Sequence, residues 1–398
     1  MSSAPPFFLY DDARARRAEP FALTRPFGEL RAGALLVRER WRHVLAGDAV
    51  GRFGAPHLAR FEEFGSPPAA GASARVPAGT VVVNTRCAPR LDPLDPHAGR
   101  WLCEGEVAAV RLADDLEAAV FATGETLLGD LTVRGPDAQC AGWWMHRPWD
   151  LVRHLVDMLG ADIPAVGAGL GGPPAHCVTL GTFPILVDAT ATIEPLTVLD
   201  ATAGPILVQA GASISAFSRV VGPSVIGPGT QVLGGRVAAS SIGPSCRVHG
   251  ELSTSIFVGH ANKGHDGFVG HSILGRWANL GAGTTTSNLK NTYGPVQAWS
   301  PDGEVETGMQ FLGSLLGDHA KTAIGTRLTT GAIVGAGANV LVDGLTPKVI
   351  APFAFGDGTY RLDKFLEVAA RVMARRQVSL SDDQRAALAA AHAARWPG

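Results

Sequence analysis

The chain has 398 residues, of which 46% are hydrophobic and 18% are charged, as is typical of a globular protein with two or three domains. Its 34 Lys and Arg nearly balance its 36 Asp and Glu, so no overall basic charge points to nucleic acid or to an anionic membrane surface. We therefore expect the partners to be small molecules and further copies of the chain.

The cysteines and the start of the chain bear on its compartment. The start, "MSSAPPFFLYDDARARR", has its charges after a short apolar patch, and no uncharged run approaches the ~18 residues of a membrane span. Five scattered cysteines without a C-x-x-C pair favour reduced thiols over a disulfide scaffold. They are Cys87, Cys103, Cys140, Cys177 and Cys246. We expect a cytoplasmic protein that is neither secreted nor inserted in a membrane.

Residues 1–159 predict an α/β domain. The run "VVVN" at Val81–Asn84 is typical of a buried strand, and "PWDLVRHLVDML" at 148–159 has the spacing of an amphipathic helix. Gly and Pro then punctuate the chain from "GADIPAVGAGLGGPPAH" onward, which predicts a linker over 160–180.

A six-residue repeat dominates the region 181–350. One aliphatic residue recurs every six positions, and a small residue follows four positions after it. Two runs show the period, namely Val208, Ile214, Val220, Ile226, Val232 and Leu316, Thr322, Leu328, Val334, Val340. In a parallel β-helix, each short strand buries one side chain inward, and a small residue leaves room for the tight corner that follows. The six-residue repeat therefore predicts a parallel β-helix.

An antiparallel sandwich is the alternative architecture for such a strand-rich region. It would show alternation with a period of two and hairpin turns such as Asn-Gly, and it has no reason to keep a six-residue phase through successive units. After the repeat, we expect a helical tail over 351–398, packed on the last coil or on a neighbouring subunit. One helix is predicted within 360–378, and a second follows Ser381, whose spacing from Gln384 matches a capping box.

The sequence "KGHDGFVGHSILGRWANLGAGTTTSNLKN" at 263–291 interrupts the repeat. With the hexapeptide coils around it, it resembles the acetyltransferase half of the bifunctional N-acetylglucosamine-1-phosphate uridyltransferase/glucosamine-1-phosphate acetyltransferase. The chain as a whole resembles a related family of sugar nucleotidyltransferases, which shares "LYDDARARRAEPFALTRP" near the start. This resemblance implies a left-handed β-helix, a homotrimer, and acetyl-CoA bound along the coils between subunits.

The resemblance also implies site residues. His265 falls where that family has its catalytic base, Asn279 and Asn288 follow at the family's spacing, and Phe268 stands where the bifunctional enzymes have a sugar-binding Tyr. The "GAGT" run is implied to meet the acyl-CoA and comprises Gly281, Ala282, Gly283 and Thr284. The Lys residues that precede the family's loop have no counterpart except Lys263, offset by one, so the resemblance leaves the sugar open.

Acyl transfer from a thioester to an amine explains why these residue types are needed. An ammonium group cannot attack, and an imidazole with an unperturbed pKa of ~6.5 is largely neutral near pH 7 and can remove the proton. We expect Asp266 to orient the imidazole or the amine, and a backbone N–H within 281–283 to meet the oxyanion. Lys263 and Lys290 are expected to contact phosphate of the acceptor or of CoA, although a solvated surface charge is an equal explanation.

A zinc site is the alternative for the same stretch. His260, His265 and His271 lie close in sequence, and β-helical carbonic anhydrases bind zinc through three histidines, two of them five residues apart. Three imidazoles with an open fourth position would activate water. The third ligand would have to come from an earlier coil, where His249 is the candidate.

The first region departs from the sugar nucleotidyltransferases that it resembles. These enzymes cradle nucleotide phosphates in a Gly-rich loop after the first strand, and this chain lacks that loop. Thr24, Arg25 and Arg86 are the candidate nucleotide-binding residues, and Asp11 with Asp12 would hold Mg²⁺ if the domain is active. The alternatives are surface ion pairs and a degenerate module that binds a nucleotide sugar.

The sequence thus predicts an acetyl-CoA-dependent acyltransferase that modifies an amino group on a sugar phosphate or nucleotide sugar for cell-envelope polysaccharide. Sugar-1-phosphate nucleotidyl transfer by the first domain is the alternative function.

Overall fold

The structure, a computed structural model, describes residues 5–396, which form two compact units. The first unit comprises 5–18, 22–148 and 380–394, and the second comprises 19–21, 149–379 and 395–396. The domain boundaries expected from the sequence stay a prediction, and a helix occupies the first residues of the expected linker. Among the described residues, no helix combines the length and the apolar character that crossing a bilayer requires.

A six-stranded sheet forms the centre of the first unit. In sheet order its strands are Asp137–Gln139, Arg100–Cys103, Glu106–Arg111, Val81–Asn84, Phe7–Tyr10 and Ala49–Phe53. Phe7–Tyr10 runs parallel to both of its neighbours, so its carboxyl end and that of Val81–Asn84 lie at the same edge. The strand predicted at Val81–Asn84 is confirmed, and all four of its residues are buried.

Short two-residue and three-residue strands complete this unit, pairing as three small ladders. They are Arg31–Ala32 with Leu35–Leu36, Arg75–Val76 with Leu116–Glu117, and Cys87–Pro89 with Gly142–Trp144. Part of the core is aromatic, because the Phe53 ring stacks on Phe121 with centroids 4.4 Å apart and Tyr10 meets Phe121 edge-on.

Five α-helices occur in the described part of the chain. They are α1 (Val37–Leu45), α2 (Asp150–Arg153), α3 (Leu155–Val166), α4 (Leu362–Ala374) and α5 (Asp382–Ala394). The helical pattern at 148–159 is confirmed as α2 and α3, which adjoin at His154.

The two predicted tail helices are present, but they pack differently from each other. The Phe365 ring of α4 meets Phe353 edge-on at 4.9 Å beside the last coils, as expected. Helix α5 belongs to the first unit and packs against the 3₁₀ turn Pro56–Leu58, so it does not lie on the last coil, whereas packing of the tail on a neighbouring subunit stays a prediction. Its capping box is confirmed, because the Gln384 N–H donates to the Ser381 hydroxyl at 3.1 Å and the Gln384 side-chain carbonyl accepts from the Ser381 N–H.

The second unit is a parallel β-helix with three faces. The six-stranded face contains Val178–Gly181, Val198–Ala201, Ser218–Val221, Gly235–Ala238, Glu251–Ser253 and Phe268–Gly270. The nine-stranded face contains Ile185–Val187, Ile206–Val208, Ser224–Ile226, Ser241–Ile242, Ile256–Phe257, Ile273–Leu274, Leu315–Leu316, Ile333–Val334 and Val349–Ile350. The third face contains Thr192–Ile193, Ser213–Ile214, Gln231–Val232, Arg247–Val248 and Asn262–Lys263, and it continues in Lys321–Thr322 and Asn339–Val340.

The six-residue repeat is explained by what each position buries. The aliphatic columns point inward, since Val208, Ile214, Val220, Ile226 and Val232 are each at most 1% exposed and belong to one core. The small residues four positions later are also buried, because they occupy the tight corners between strands. The parallel β-helix is therefore confirmed, while its left-handed sense stays a prediction.

One excursion leaves the coils between Ile273–Leu274 and Leu315–Leu316, which pair directly with each other. Between them the chain makes one further coil, where Thr285–Thr286 pairs with Arg327–Leu328. It then projects an antiparallel hairpin made of Gln297–Ser300 and Gly303–Glu306. The stretch that interrupts the sequence repeat, 263–291, therefore overlaps the first part of this excursion.

Candidate functional site

The loop 264–267 joins Asn262–Lys263 to Phe268–Gly270 and carries His265 and Asp266, both exposed. The loop returns to the β-helix at Gly267, where φ is +130° and an added Cβ would lie 2.2 Å from the carbonyl oxygen of Thr284. Only glycine fits this close approach of two backbones. The His265 imidazole is therefore exposed on a loop whose second end is fixed by Gly267.

Lys263 is the unexpected residue at this loop. It occupies an inward column of the β-helix, paired with Val248 on the preceding coil, and is 0% exposed. Its ammonium donates to the carbonyl oxygens of His265 and of Asp266, the latter at 2.8 Å. Burial lowers its pKa to about 8. The sequence led us to expect that Lys263 contacts a phosphate at the surface. Its ammonium instead lies inside the β-helix and holds the loop through these two carbonyls.

Neighbouring coils hold the loop from both sides. The Asp266 carbonyl accepts from the Gly283 N–H at 3.0 Å, and the Gly267 carbonyl accepts from the Glu251 N–H at 3.0 Å. The Asp266 carboxylate lies 3.3 Å from Nδ1 of His249 on the preceding coil. Its resolved partner is thus His249 and not the imidazole of His265, so the expected orienting role of Asp266 has no support from the geometry.

The Gly281–Thr284 run forms a tight turn beside this loop. The Thr284 N–H donates to the Gly281 carbonyl at 3.1 Å, and Gly283 has φ +71°, as at the third position of a type II turn. The Gly281 N–H donates to the Thr322 hydroxyl at 3.0 Å, and the Gly283 N–H is bonded to Asp266. Within residues 5–396 the Ala282 N–H has no acceptor, so it is the donor of this turn that is available to a ligand.

Phe268 and Asn288 meet above Gly270. An added Cβ at Gly270 would lie 2.4 Å from the Phe268 ring and 2.7 Å from Nδ2 of Asn288, so glycine makes room for both side chains. Nδ2 of Asn288 lies 2.9 Å from Nδ1 of His271, and the His271 ring stacks on Phe311 with centroids 5.2 Å apart. This half-buried polar and aromatic patch suits a sugar ring and its hydroxyls.

His271 in this patch was considered in the sequence only as a zinc ligand. Burial lowers the pKa of His271, which favours the neutral ring at Asn288. No signal in the sequence placed it beside Asn288, because the contact joins two coils 17 residues apart.

Two other expected contacts have structural partners. The Asn279 side-chain carbonyl accepts from Nδ2 of Asn262 on the preceding coil at 2.9 Å, forming a rung of an Asn ladder. Lys290 donates to the Pro295 carbonyl at 3.0 Å within the excursion. Neither residue is resolved in contact with His265.

The histidines of the zinc hypothesis are spread over separate environments. The His260 ring stacks on Trp277 at 4.2 Å, His271 meets Asn288, and His249 meets Asp266. Among residues 5–396, no three His, Cys, Asp or Glu side chains converge as a metal site requires. The geometry therefore gives the zinc alternative no support.

A second candidate site lies in the first unit, at the carboxyl ends of Phe7–Tyr10 and Val81–Asn84. Asp12 and Arg86 follow these strands and form a buried ion pair with an N–O distance of 2.7 Å. The Asp12 carboxylate also accepts from Ala15 N–H at 2.9 Å and from Nδ2 of Asn84 at 3.0 Å. Burial alone would raise the pKa of Asp12, but the hydrogen bonds and charge of Arg86 outweigh it and hold that pKa below its usual range.

These contacts test whether Mg²⁺ fits. Both carboxylate oxygens of Asp12 are saturated by donors, and those of Asp11 accept from the Thr85 hydroxyl and the Phe27 N–H at 2.6 and 3.0 Å. A hard cation needs such oxygens as ligands. The pair therefore does not fit the expected metal role.

Two of the expected nucleotide-binding residues lie elsewhere. A cavity opens beside Asp12, and its lining includes Asn84 and Arg86. Arg25 does not line this cavity; it is 1% exposed, and its guanidinium bonds to the Glu63 carboxylate at 2.9 Å. Thr24 is 7% exposed and does not line it either. Arg86 does line the cavity, although its guanidinium is occupied by Asp12.

Comparisons with known proteins found one family model and several relatives named as transferases. Residues 7–169 match the family model described as "Sugar nucleotidyl transferase". Over 97 residues the chain is 36% identical to the bifunctional protein GlmU of Methanococcus vannielii, covering 23% of each chain. Over 90 residues it is 28% identical to a bifunctional sugar-1-phosphate nucleotidylyltransferase/acetyltransferase of Sulfurisphaera tokodaii, covering 23% of this chain and 22% of that one.

A longer match is to YaiX of Escherichia coli (strain K12), named as an uncharacterized acetyltransferase. It is 27% identical over 177 residues, which is 42% of this chain and 71% of that protein. The chain spans about a quarter of the length of the bifunctional relatives that it matches. The resemblance drawn from the sequence is thus confirmed, and the names of these relatives are consistent with a transferase.

Proposed function

We propose, from a first region similar to sugar nucleotidyl transferases and relatives named as acetyltransferases, that this chain is an acyl-CoA-dependent N-acyltransferase. Acetyl-CoA is the proposed donor, and the acceptor is an amino group on a sugar phosphate or nucleotide sugar. His265 is the general base.

One observation carries the proposal. The β-helix is interrupted at a loop that exposes His265, and that loop is bonded through the Asp266 carbonyl to the turn whose Ala282 N–H has no acceptor within the described residues. A base on one segment and a backbone donor on the segment bonded to it are the two elements that amine acylation needs.

The proposed step balances as follows. The acceptor reacts as the free amine, after its ammonium form has released one proton to solvent. The amine nitrogen forms a bond to the thioester carbonyl carbon, and His265 takes the second proton from that nitrogen as it attacks. The oxyanion that develops accepts from the Ala282 N–H. When the intermediate collapses, the C–S bond breaks, and the CoA thiolate takes a proton from the imidazolium. The products are the N-acyl sugar and free CoA, with His265 neutral again.

The acceptor is proposed to lie on the patch formed by Phe268, Asn288 and His271. An aromatic ring suits the apolar face of a sugar, and the Asn288 amide can exchange its contact with His271 for a sugar hydroxyl. Asn279 is proposed to act through the turn, because its amide belongs to the Asn ladder under it.

A second copy of the chain is part of the proposal. In a single chain His265 is exposed, whereas acyl transfer needs a site from which water is excluded. Large apolar side chains are exposed on the same unit, among them Phe217 at 79% and Ile324 at 83%. We propose that they meet further copies in a homotrimer and that acyl-CoA lies in the groove between copies.

Thiol release tests the proposal. The purified chain is incubated with acetyl-CoA and a panel of amino sugars, amino-sugar phosphates and nucleotide-linked amino sugars, and free CoA is followed with a thiol reagent. Release that depends on one class of acceptor, with N-acetylated product found by mass spectrometry, supports the proposal. Release with no acceptor, or none across the panel and across longer acyl chains, contradicts it.

A further inference from the structure

The first unit contains a cavity of about 340 Å³ that the proposed acyl transfer does not use. It opens at the carboxyl ends of Phe7–Tyr10 and Val81–Asn84, the position where open sheets of mixed α/β proteins commonly bind ligands. Its size is at the low end for ligand pockets, which suits a monosaccharide better than a nucleoside triphosphate together with a sugar phosphate.

The floor of the cavity is closed to metal and to phosphate. The Asp12 carboxylate already accepts hydrogen bonds at both oxygens, in part from the Arg86 guanidinium. The same guanidinium lies over the face of Trp144, with Cζ of Arg86 4.8 Å from the ring centroid. A nucleoside triphosphate needs a free cation or Mg²⁺ for its phosphates. Asp12 and Arg86 are not free to serve that purpose, and Arg14 is the single remaining cation of the lining.

The walls carry an excess of negative charge. Glu106, Glu125 and Asp130 line the cavity and are exposed, whereas Arg14 is the one guanidinium besides Arg86 in its lining. With Asp12, four carboxylates face two guanidiniums, so the lining has a formal charge of −2. This field repels polyphosphates and attracts a cation.

A buried donor gives a second, independent indication of a ligand. Trp144 lines the cavity and is 2% exposed, yet its indole N–H has no hydrogen-bond acceptor within residues 5–396. A buried indole N–H normally finds a partner, because leaving it without one is costly. A hydroxyl of a bound ligand would supply the acceptor, and the apolar side chains of Val107 and Leu128 would meet the ligand's carbon skeleton.

We propose that this cavity binds a monosaccharide that carries a free ammonium group and no phosphate. The ammonium faces the carboxylates of Glu125 and Asp130, and a ring hydroxyl accepts from the indole N–H of Trp144. The first unit is then an amino-sugar binding module that performs no nucleotidyl transfer. This inference rests on the cavity alone and holds whether or not the β-helix transfers acyl groups.

Isothermal titration calorimetry of the full chain without acyl-CoA tests the proposal, with glucosamine, glucose, glucosamine 1-phosphate and UTP with Mg²⁺ as the probes. The titrations are made on Asn288→Ala, so that the proposed acceptor patch of the β-helix does not contribute. Glucosamine is expected to bind at least tenfold more tightly than glucose and than either phosphorylated ligand. Tighter binding of UTP, or equal binding of glucosamine and glucose, would overturn the proposal.

Variants locate the binding. The double variant Glu125→Gln/Asp130→Asn changes only exposed side chains and is expected to abolish the preference for glucosamine over glucose, whereas the matched control Glu117→Gln, outside the cavity, retains it. Trp144→Phe keeps a ring and removes the N–H, and it is expected to weaken both sugars several-fold. Because Asn288 belongs to the proposed acceptor patch of the β-helix, glucosamine binding that persists in Asn288→Ala belongs to the cavity. Loss of glucosamine binding in Asn288→Ala with retention in the double variant would place the sugar on the β-helix and refute the cavity site.

Discussion

The substitution Ala282→Pro isolates the proposed oxyanion donor from the fold. Proline removes the N–H of residue 282, which is unbonded within the described chain, and it keeps the turn because proline is favoured at the second position of type II turns. The protein already contains this turn three coils earlier, at another corner of the β-helix. There Pro228 precedes Gly229, whose φ is +62°, and the Thr230 N–H donates to the Gly227 carbonyl at 3.2 Å, as Thr284 does to Gly281.

The expected magnitudes differ for activity and stability. Loss of one oxyanion donor typically lowers kcat by about 10²–10³-fold, equivalent to ~2.7–4 kcal/mol. Because no hydrogen bond of the fold is lost, the free energy of unfolding should stay level or rise by up to ~1 kcal/mol from the stiffer unfolded chain. Acetyl-CoA affinity should change little, since the donor meets charge that develops only during reaction.

The assay measures steady-state thiol release and thermal unfolding side by side for wild type, Ala282→Pro and the control Ala210→Pro. Ala210 holds the same turn position before Gly211, whose φ is +65°, on an early and exposed coil. The control should retain kcat within about twofold, a spread too small to represent one lost hydrogen bond. A kcat within threefold of wild type for a folded Ala282→Pro protein would refute the assignment of this N–H.

Three further predictions follow from the buried lysines and the exposed apolar surface. Lys263→Met removes two hydrogen bonds that hold the His265 loop, worth about 1 kcal/mol each, and should lower kcat about 30-fold. The control Lys321→Met loses only a bond to the His319 carbonyl and should change kcat less than threefold. Equal effects of the two variants in steady-state assays would contradict the bracing role of Lys263. Burial lowers the pKa of both lysines to about 8, so the folded chain loses these protons at lower pH than the unfolded chain does. The free energy of unfolding should therefore rise with pH from about 8 to about 10. In urea titrations, a Lys263→Met/Lys321→Met variant whose free energy of unfolding has the same dependence on pH would contradict this. Ile324→Arg charges an exposed side chain next to Gly281 and should reduce both the mass measured by light scattering and the rate of thiol release, and an unchanged mass would argue against assembly through this surface.

The architecture was readable from the sequence because one physical rule repeats along it. Each aliphatic residue of a hexad fills the same interior position, so five successive units reinforce one signal, and Val208 to Val232 are buried as predicted. The capping box at Ser381 was readable for a similar reason, since both partners lie within one turn of helix. The placement of α5 was not readable, because its packing on 56–58 joins segments more than 300 residues apart.

Charged residues were interpreted less well, since their roles depend on partners that sequence spacing does not reveal. Lys263 is a residue type that commonly binds phosphate. Its pairing with Val248 places it in an inward column, however, where its ammonium donates to the carbonyl oxygens of the loop. Asp12 has the position of a metal ligand, but Arg86, 74 residues later, saturates it. Neither case could be read from spacing, because Lys263 lies 15 residues after its ladder partner Val248, out of the six-residue phase, and Arg86 lies 74 residues after Asp12.

The role of His265 as the base is the central claim, and single-turnover acetyl transfer tests it most directly. With saturating acceptor and enzyme in excess over acetyl-CoA, the rate constant for formation of the N-acetyl product is measured by quenched flow and mass spectrometry for wild type and His265→Gln. General-base catalysis predicts a rate constant at least about 100-fold lower in the variant, with unchanged subunit mass and acetyl-CoA affinity. A rate constant within threefold of wild type would contradict the account.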